Sequence, residues 1–102
     1  MDMNQIMLQA REFQQRLSKV QNELTDRTVT ASVGGGMVSV IVNGRCQLLS
    51  IQIDRKVINP EEQTRLHDLI MSAVNEGIKK AQDIAQAEMR KLTGGISIPG
   101  ML

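Results

Sequence analysis

Thr28-Val29-Thr30-Ala31-Ser32-Val33-Gly34-Gly35-Gly36-Met37-Val38-Ser39-Val40-Ile41-Val42-Asn43-Gly44 decides the fold of this chain. Residues 28–33 alternate polar and apolar positions and are rich in β-branched side chains, the pattern of a half-buried strand. The glycines that follow read as a turn, because only glycine adopts positive φ freely at successive positions. Met37–Val42 is the most apolar run and reads as the central strand. Asn43-Gly44 is a strong hairpin signal and predicts a third strand over Arg45–Ile53. Within that strand Cys46 and Leu48 fall on one face, while Leu49, Ile51 and Ile53 fall on the other. A bulge near Leu48-Leu49 would reconcile the two phases. Consecutive strands joined by tight turns make an antiparallel meander.

Upstream, Met3, Ile6, Ala10, Phe13, Leu17, Val20 and Leu24 follow alternating steps of three and four, which predicts a helix over Met3–Leu24 with an apolar heptad seam. A seam this narrow is less than a sheet-packing face usually needs. Two alternatives therefore stand level: packing on the chain's own sheet, or contact with a helix of this chain or of a partner. The opposite face is rich in Gln, with Glu12 placed four residues before Arg16 in the favourable ion-pair order. Downstream, Asn59-Pro60-Glu61-Glu62 reads as a helix start: Asn59 the N-cap, Pro60 the first helical residue, Glu62 the second half of a capping box. Apolar residues recur at helical period from Leu66 to Leu92, with Gly77 among them marking a close helix–strand approach or a bend. Thr93-Gly94-Gly95 ends the helix. The following residues, Ile96–Leu102, are apolar and broken by Pro99 and Gly100; such a segment docks on a groove or frays. The expected architecture is an α+β, α-β-β-β-α domain spanning residues 1–102. It comprises an N-terminal helix (1–26), a three-stranded antiparallel sheet (27–54), a C-terminal helical region (59–92) and an apolar Gly/Pro tail (93–102).

Composition narrows the function. A chain of 102 residues buries one core. Aromatics amount to 1%, Phe13 alone, which argues against base-stacking platforms. Lys plus Arg is 12 against 11 for Asp plus Glu, a net charge of +1, so a simple polycation is excluded while local basic patches are not. The single Cys46 and single His67 make neither an internal disulfide nor a Cys/His zinc site. The N-terminus lacks the pattern of a signal peptide, and no apolar run approaches the ~20 residues of a membrane span. A soluble chain of a reducing compartment, without a membrane partner, is expected.

No catalytic motif is present. Gly34-Gly35-Gly36 is followed by a strand and lacks the Lys-Ser/Thr of a phosphate loop. His67 reads as a surface or rim residue and Cys46 as a small strand residue. Glu61 and Glu62 are explained by a helix N-terminus, which favours carboxylates. No enzyme activity, cofactor, metal or small-molecule substrate is therefore expected. The remaining candidates are cationic: Arg11, Arg16, Lys19 and Arg27 on or just after the first helix, and Lys79, Lys80, Arg90 and Lys91 on the second. Taken alone they are ordinary solvated helix faces, and Glu76 precedes Lys80 in ion-pair order. A functional reading requires both helices to present one basic edge to the same phosphate backbone. The seven methionines suit adaptable contact surfaces. Excess apolar surface leads us to expect a homodimer, with packing and dimer contacts from Phe13, Leu17, Val20, Leu24, Val40 and Val42.

The ordered set Gly34-Gly35-Gly36, Val38-Ser39-Val40, Val42-Asn43-Gly44, Ser50-Ile51-Gln52-Ile53-Asp54, Ala73-Val74-Asn75, Lys79-Lys80-Ala81 and Leu92-Thr93-Gly94-Gly95, closed by Pro99-Gly100, resembles the YbaB/EbfC family of bacterial nucleoid-associated proteins. The resemblance covers essentially the whole chain. It implies a homodimer whose long helices project like the arms of a tweezer, binding double-stranded DNA on the nucleoid in the cytoplasm. The arms would be Met3–Leu24 and the distal part of Asn59–Leu92. The family has no catalytic residues and no tight base-reading motif, so the eight cationic candidates rest on charge alone. Leu49 stands where family members often carry a polar residue, and Cys46 matches no family pattern. The expected mechanism is phosphate binding with weak sequence preference. The rival is a protein-interaction module that uses the seam and tail, with DNA association incidental.

Overall fold

A computed structural model of the protein describes residues 2–94. Asp2 starts the first helix, its carboxylate accepting the Gln5 N–H at 2.8 Å. This helix, α1, runs over Met3–Asp26 and ends where Arg27 takes an extended conformation. The sheet follows at once, with β1 over Thr28–Val33, β2 over Val38–Asn43 and β3 over Leu48–Ile53. Their order in the sheet is β1-β2-β3 and both pairings are antiparallel, the expected meander. A long helix, α2, closes the described chain over Gln63–Leu92, and Gly94 leaves it with φ +65°. The expectation of a docked or frayed apolar tail falls on residues 95–102, outside the described residues.

Alternation sets which face is apolar. Val29, Ala31 and Val33 pair with Val42, Val40 and Val38, which pair in turn with Leu48, Ile51 and Ile53. Thr30, Ser32, Ser39, Ser50 and Gln52 populate the other face, where the Ser32 and Ser39 hydroxyls share a 2.7 Å hydrogen bond. Val38, Val40 and Val42 are fully buried and form the core with Ala31, Ala73 and Ala81. α2 supplies the last two. It runs antiparallel to β1: Leu69 lies over Gly34, Gly77 over Val40 and Val42, and Lys80 beside Thr30. Gly77 is a close-approach glycine, since a Cβ there would stand 2.8 Å from a Val42 methyl and 3.0 Å from a Val40 methyl.

The expected bulge is present: Ile41 pairs with Ser50 and Val42 with Leu48, so Leu49 is the extra residue. Three local expectations are corrected. The β2–β3 connection is longer than the two-residue turn that Asn43-Gly44 suggests, and Arg45–Gln47 belong to it rather than to the strand. Its left-handed residue is Cys46, at φ 62°, and not Gly44. The Asn43 side chain, only 1% exposed, organises this turn by accepting the N–H groups of Arg45 and Gln47 and donating to Gln47 Oε1. Gly44 serves packing instead: its N–H donates to the main-chain oxygens of Leu24 and Arg27, and a Cβ would meet the Leu24 oxygen at 2.7 Å. Finally, Asn59 caps a single 3-10 turn over Pro60–Glu62, and α2 begins after it without a side-chain cap, so the Glu62 capping box does not form.

α1 is an arm. At about 1.5 Å per residue the two helices measure about 36 and 45 Å, and the molecule is 69 Å long and 23 × 18 Å across. They therefore overlap only near their ends, where Arg27 reaches Glu88. Leu24 is the one buried residue of α1. Leu17 and Val20 are half-buried. Beyond them Phe13, Ile6 and Met3 are exposed. The root of the seam thus packs within the chain, while its distal half has no cover among the described residues.

Candidate nucleic-acid interface

The cationic residues divide by what they touch. Arg27, at the root of α1, donates from Nη1 to Glu88 Oε1 at 2.7 Å. Lys91 Nζ reaches the same oxygen at 3.3 Å. This clamp joins the base of one arm to the end of α2. The Lys91 hydrogen bond, with the charges of Lys91 and Arg27, holds the Glu88 carboxyl below its usual range. Lys80 does not meet Glu76; its ammonium donates to the main-chain oxygen of Thr30 at 3.0 Å, on edge strand β1. Among the described residues, Arg11, Arg16, Lys19, Lys79 and Arg90 make no ion pair, so the expected Glu12–Arg16 pair is not formed. All five are exposed.

Position favours the first three. Arg11 and Lys19 share one open face of α1 with Gln14, Gln15, Ser18 and Asn22; Glu12 stands at its edge, and Glu23 and Asp26 join it at its root. Arg16 flanks it. Lys79 and Arg90 point away from the sheet, since the core side of α2 is marked by Ala73, Gly77 and Ala81. Of the residues assigned to packing, Val40, Val42 and Leu24 are buried, and Phe13 stays 40% exposed.

Two residues of the arm that the heptad pattern does not single out belong with this face. Met7 and Leu8 are off the seam, yet 60% and 56% exposed. With Asn4 and Arg11 they line one shallow depression near the arm tip. The spacing 4, 7, 8, 11 is readable as one helix face, but the apolar signal of the seam on the other side is stronger. Elsewhere, His67 is exposed. The described residues hold no group of His, Cys, Asp and Glu suited to a metal ion, and no helix long and apolar enough to cross a membrane.

Comparison with known proteins gives the same direction. The pattern that defines the YbaB/EbfC DNA-binding family matches residues 1–96. A nucleoid-associated protein of Syntrophobacter fumaroxidans is 48% identical over 95 residues, covering 93% of this chain and 86% of its own. One from Clostridium kluyveri is 43% identical over 100 residues, covering 98% and 88%. The crystal structure of an uncharacterized Helicobacter pylori protein superposes with a TM-score of 0.85 at 29% identity, covering 92% of this chain and 99% of that one.

Proposed function

The chain belongs to the YbaB/EbfC DNA-binding family, a family of nucleoid-associated proteins and not of enzymes, and from that premise we propose that it binds double-stranded DNA as a homodimer, chiefly through phosphates. The observation that carries this reading is the projecting α1 arm with Arg11, Arg16 and Lys19 along it, none of them in an ion pair among the described residues. An arm held away from the core, with its cations not satisfied by carboxylates, is free to lie along a phosphate backbone. Each neutralised phosphate releases counterions, so affinity falls steeply with salt. With few Asn or Arg residues set for bidentate base reading among the described residues, sequence preference is weak. Such binding on the nucleoid, in the cytoplasm, contributes to chromosome organisation and to gene regulation.

The dimer surface we assign is the β3 side of the sheet. Leu48 and Ile51 continue the apolar layer of Val42 and Val40 but lie beyond the cover of α2, at 43% and 42% exposure. The opposite edge, β1, is guarded by the Lys80 ammonium. An edge strand with apolar neighbours and no guarding charge is a ready pairing surface. The exposed distal seam of Met3, Ile6 and Phe13 favours a second reading, in which the arm also recruits a protein helix.

The test is a fluorescence-anisotropy titration of a labelled duplex across salt concentrations. The Arg11→Glu/Arg16→Glu/Lys19→Glu variant should lose most of its affinity while keeping its circular dichroism. For a symmetric dimer the slope of log K against log salt should fall by about 5, at ~0.9 for each phosphate no longer neutralised. Undiminished binding by a folded triple variant would remove α1 from the site.

A further inference from the structure

We propose that the tip of α1 reads A·T base pairs in the major groove, through the face formed by Asn4, Met7 and Leu8. This rests on the DNA-binding reading above and adds a base-level contact to it.

The argument starts from two apolar side chains that the fold does not use. Met3, Ile6 and Phe13 are exposed as well but continue the seam, whereas Met7 and Leu8 lie off it and are more than half exposed. They share one depression with Asn4 and Arg11. Clustered apolar exposure of this kind marks a contact surface. Its occupant follows from continuity and charge. The same face carries Arg11 and, further along, Lys19, and before Glu23 the only carboxylate in residues 3–22 is Glu12, at the edge of that face. A duplex held by those cations extends past the tip. From Met3 to Ala10 the chain carries no charge of either sign, so the tip has no cation with which to neutralise a phosphate. What it has is apolar groups and carboxamides.

That pair of chemistries matches one base pair. Thymine presents a 5-methyl in the major groove, which apolar side chains contact, and adenine presents N6–H and N7, which an Asn amide bonds in bidentate fashion. Guanine calls for Arg or Lys and cytosine for a carboxylate; residues 3–10 contain neither, and Arg11, which closes the depression, is the cation assigned above to phosphate. The shape agrees: a helix about 10–12 Å across enters a major groove about 12 Å wide. The one carboxylate at the end, Asp2, is engaged in capping the Gln5 N–H.

The experiment compares two duplexes that differ only in replacement of dT by dU, which removes the thymine methyl and keeps every base pair. Anisotropy titrations use the full chain and its Met7→Gln/Leu8→Gln variant, whose changes are on exposed positions. The wild-type chain should bind the dU duplex more weakly by about fourfold for each thymine methyl that the tip covers, the worth of one buried methylene. The variant should bind the dT duplex more weakly than wild type, should not distinguish dT from dU, and should keep the wild-type salt slope. Equal binding of both duplexes by the wild-type chain, or full dT/dU discrimination retained by the variant, would overturn the assignment. Wild-type binding to neither duplex at low salt would instead overturn the DNA reading itself, and the tip assignment with it.

Discussion

Glu88→Gln should make DNA binding stronger and more salt-dependent. The Glu88 carboxylate engages Arg27 at 2.7 Å and Lys91 at 3.3 Å, and those two cations are 48% and 74% exposed. They are accessible to a phosphate, but in the folded chain an internal anion already occupies them. Glutamine keeps the size and an acceptor oxygen and removes the charge. If both cations then move to phosphates, log K against log salt steepens by about 1.8 per protomer and ~3.6 per symmetric dimer, at ~0.9 per phosphate. The core of Val38, Val40 and Val42 does not touch Glu88, so the fold should survive, which circular dichroism checks. A general effect of removing one negative charge is controlled by Glu61→Gln, at the far end of the molecule in the turn before α2. That variant should leave the slope near wild type. The readout is the anisotropy salt series. A folded Glu88→Gln chain with the wild-type slope would refute the reasoning, because the clamp would then not be withholding cations from DNA.

Other outcomes follow from the packing and the turns. Gly77→Ala should lower the melting temperature: the helix-propensity gain of about 1 kcal/mol is outweighed by overpacking of about 1–3 kcal/mol. The new Cβ would stand 2.8 and 3.0 Å from methyls of fully buried valines, and a raised melting temperature would show that α2 can lift at no cost. Asn43→Ala should cost roughly 2–4 kcal/mol in urea unfolding, because it orphans two turn amides, while Asn43→Asp, which keeps the acceptors, should recover part of the loss. The Glu88 clamp also has a pH signature. Its carboxyl titrates lower in the folded chain than the ordinary value of 4.5, so its stabilisation is complete above that value and disappears as pH falls through the folded value. Thermal melts of wild type and Glu88→Gln should therefore converge in acid; a constant gap between pH 7 and pH 3 would exclude the clamp as its source.

Periodicity made the elements readable. The period of two in Thr28–Val33 and the period near 3.6 in Leu66–Leu92 each reflect a single buried face, and burial is what the structure confirms there. Even the bulge was legible, since only an extra residue can return Ile51 to the face of Val40 after the phase slip at Leu48-Leu49. What failed was local chemistry with a competing tertiary partner. Asn43-Gly44 carries a two-residue turn signal, but Gly44 is needed where α1 ends against it, and the left-handed conformation passes to Cys46. The i,i+4 rule paired Glu76 with Lys80; the Thr30 oxygen, fifty residues away, lies closer to hand. Nothing in the spacing of Arg27 and Glu88 announces that they meet.

The same distinction decides how a chain of net charge +1 can bind a polyanion. Whole-chain charge treats every carboxylate as opposing DNA, whereas the fold sorts them by place. Glu23 and Asp26 lie at the root of the arm face. Glu88 is engaged by Arg27 and Lys91, and Glu61 and Glu62 lie in the turn before α2, at the end of that helix away from the arm. From Met3 to Asn22 the sequence holds Arg11, Arg16 and Lys19 against Glu12 alone. Coulomb interactions between exposed charges fade beyond about 8 Å at physiological salt, so a phosphate beside that segment responds to those residues and hardly to the rest. A rigid helix that carries three cations beyond the screening distance of most of the acids is electrostatically basic on its own. The composition conceals this, and the projection of α1 restores it.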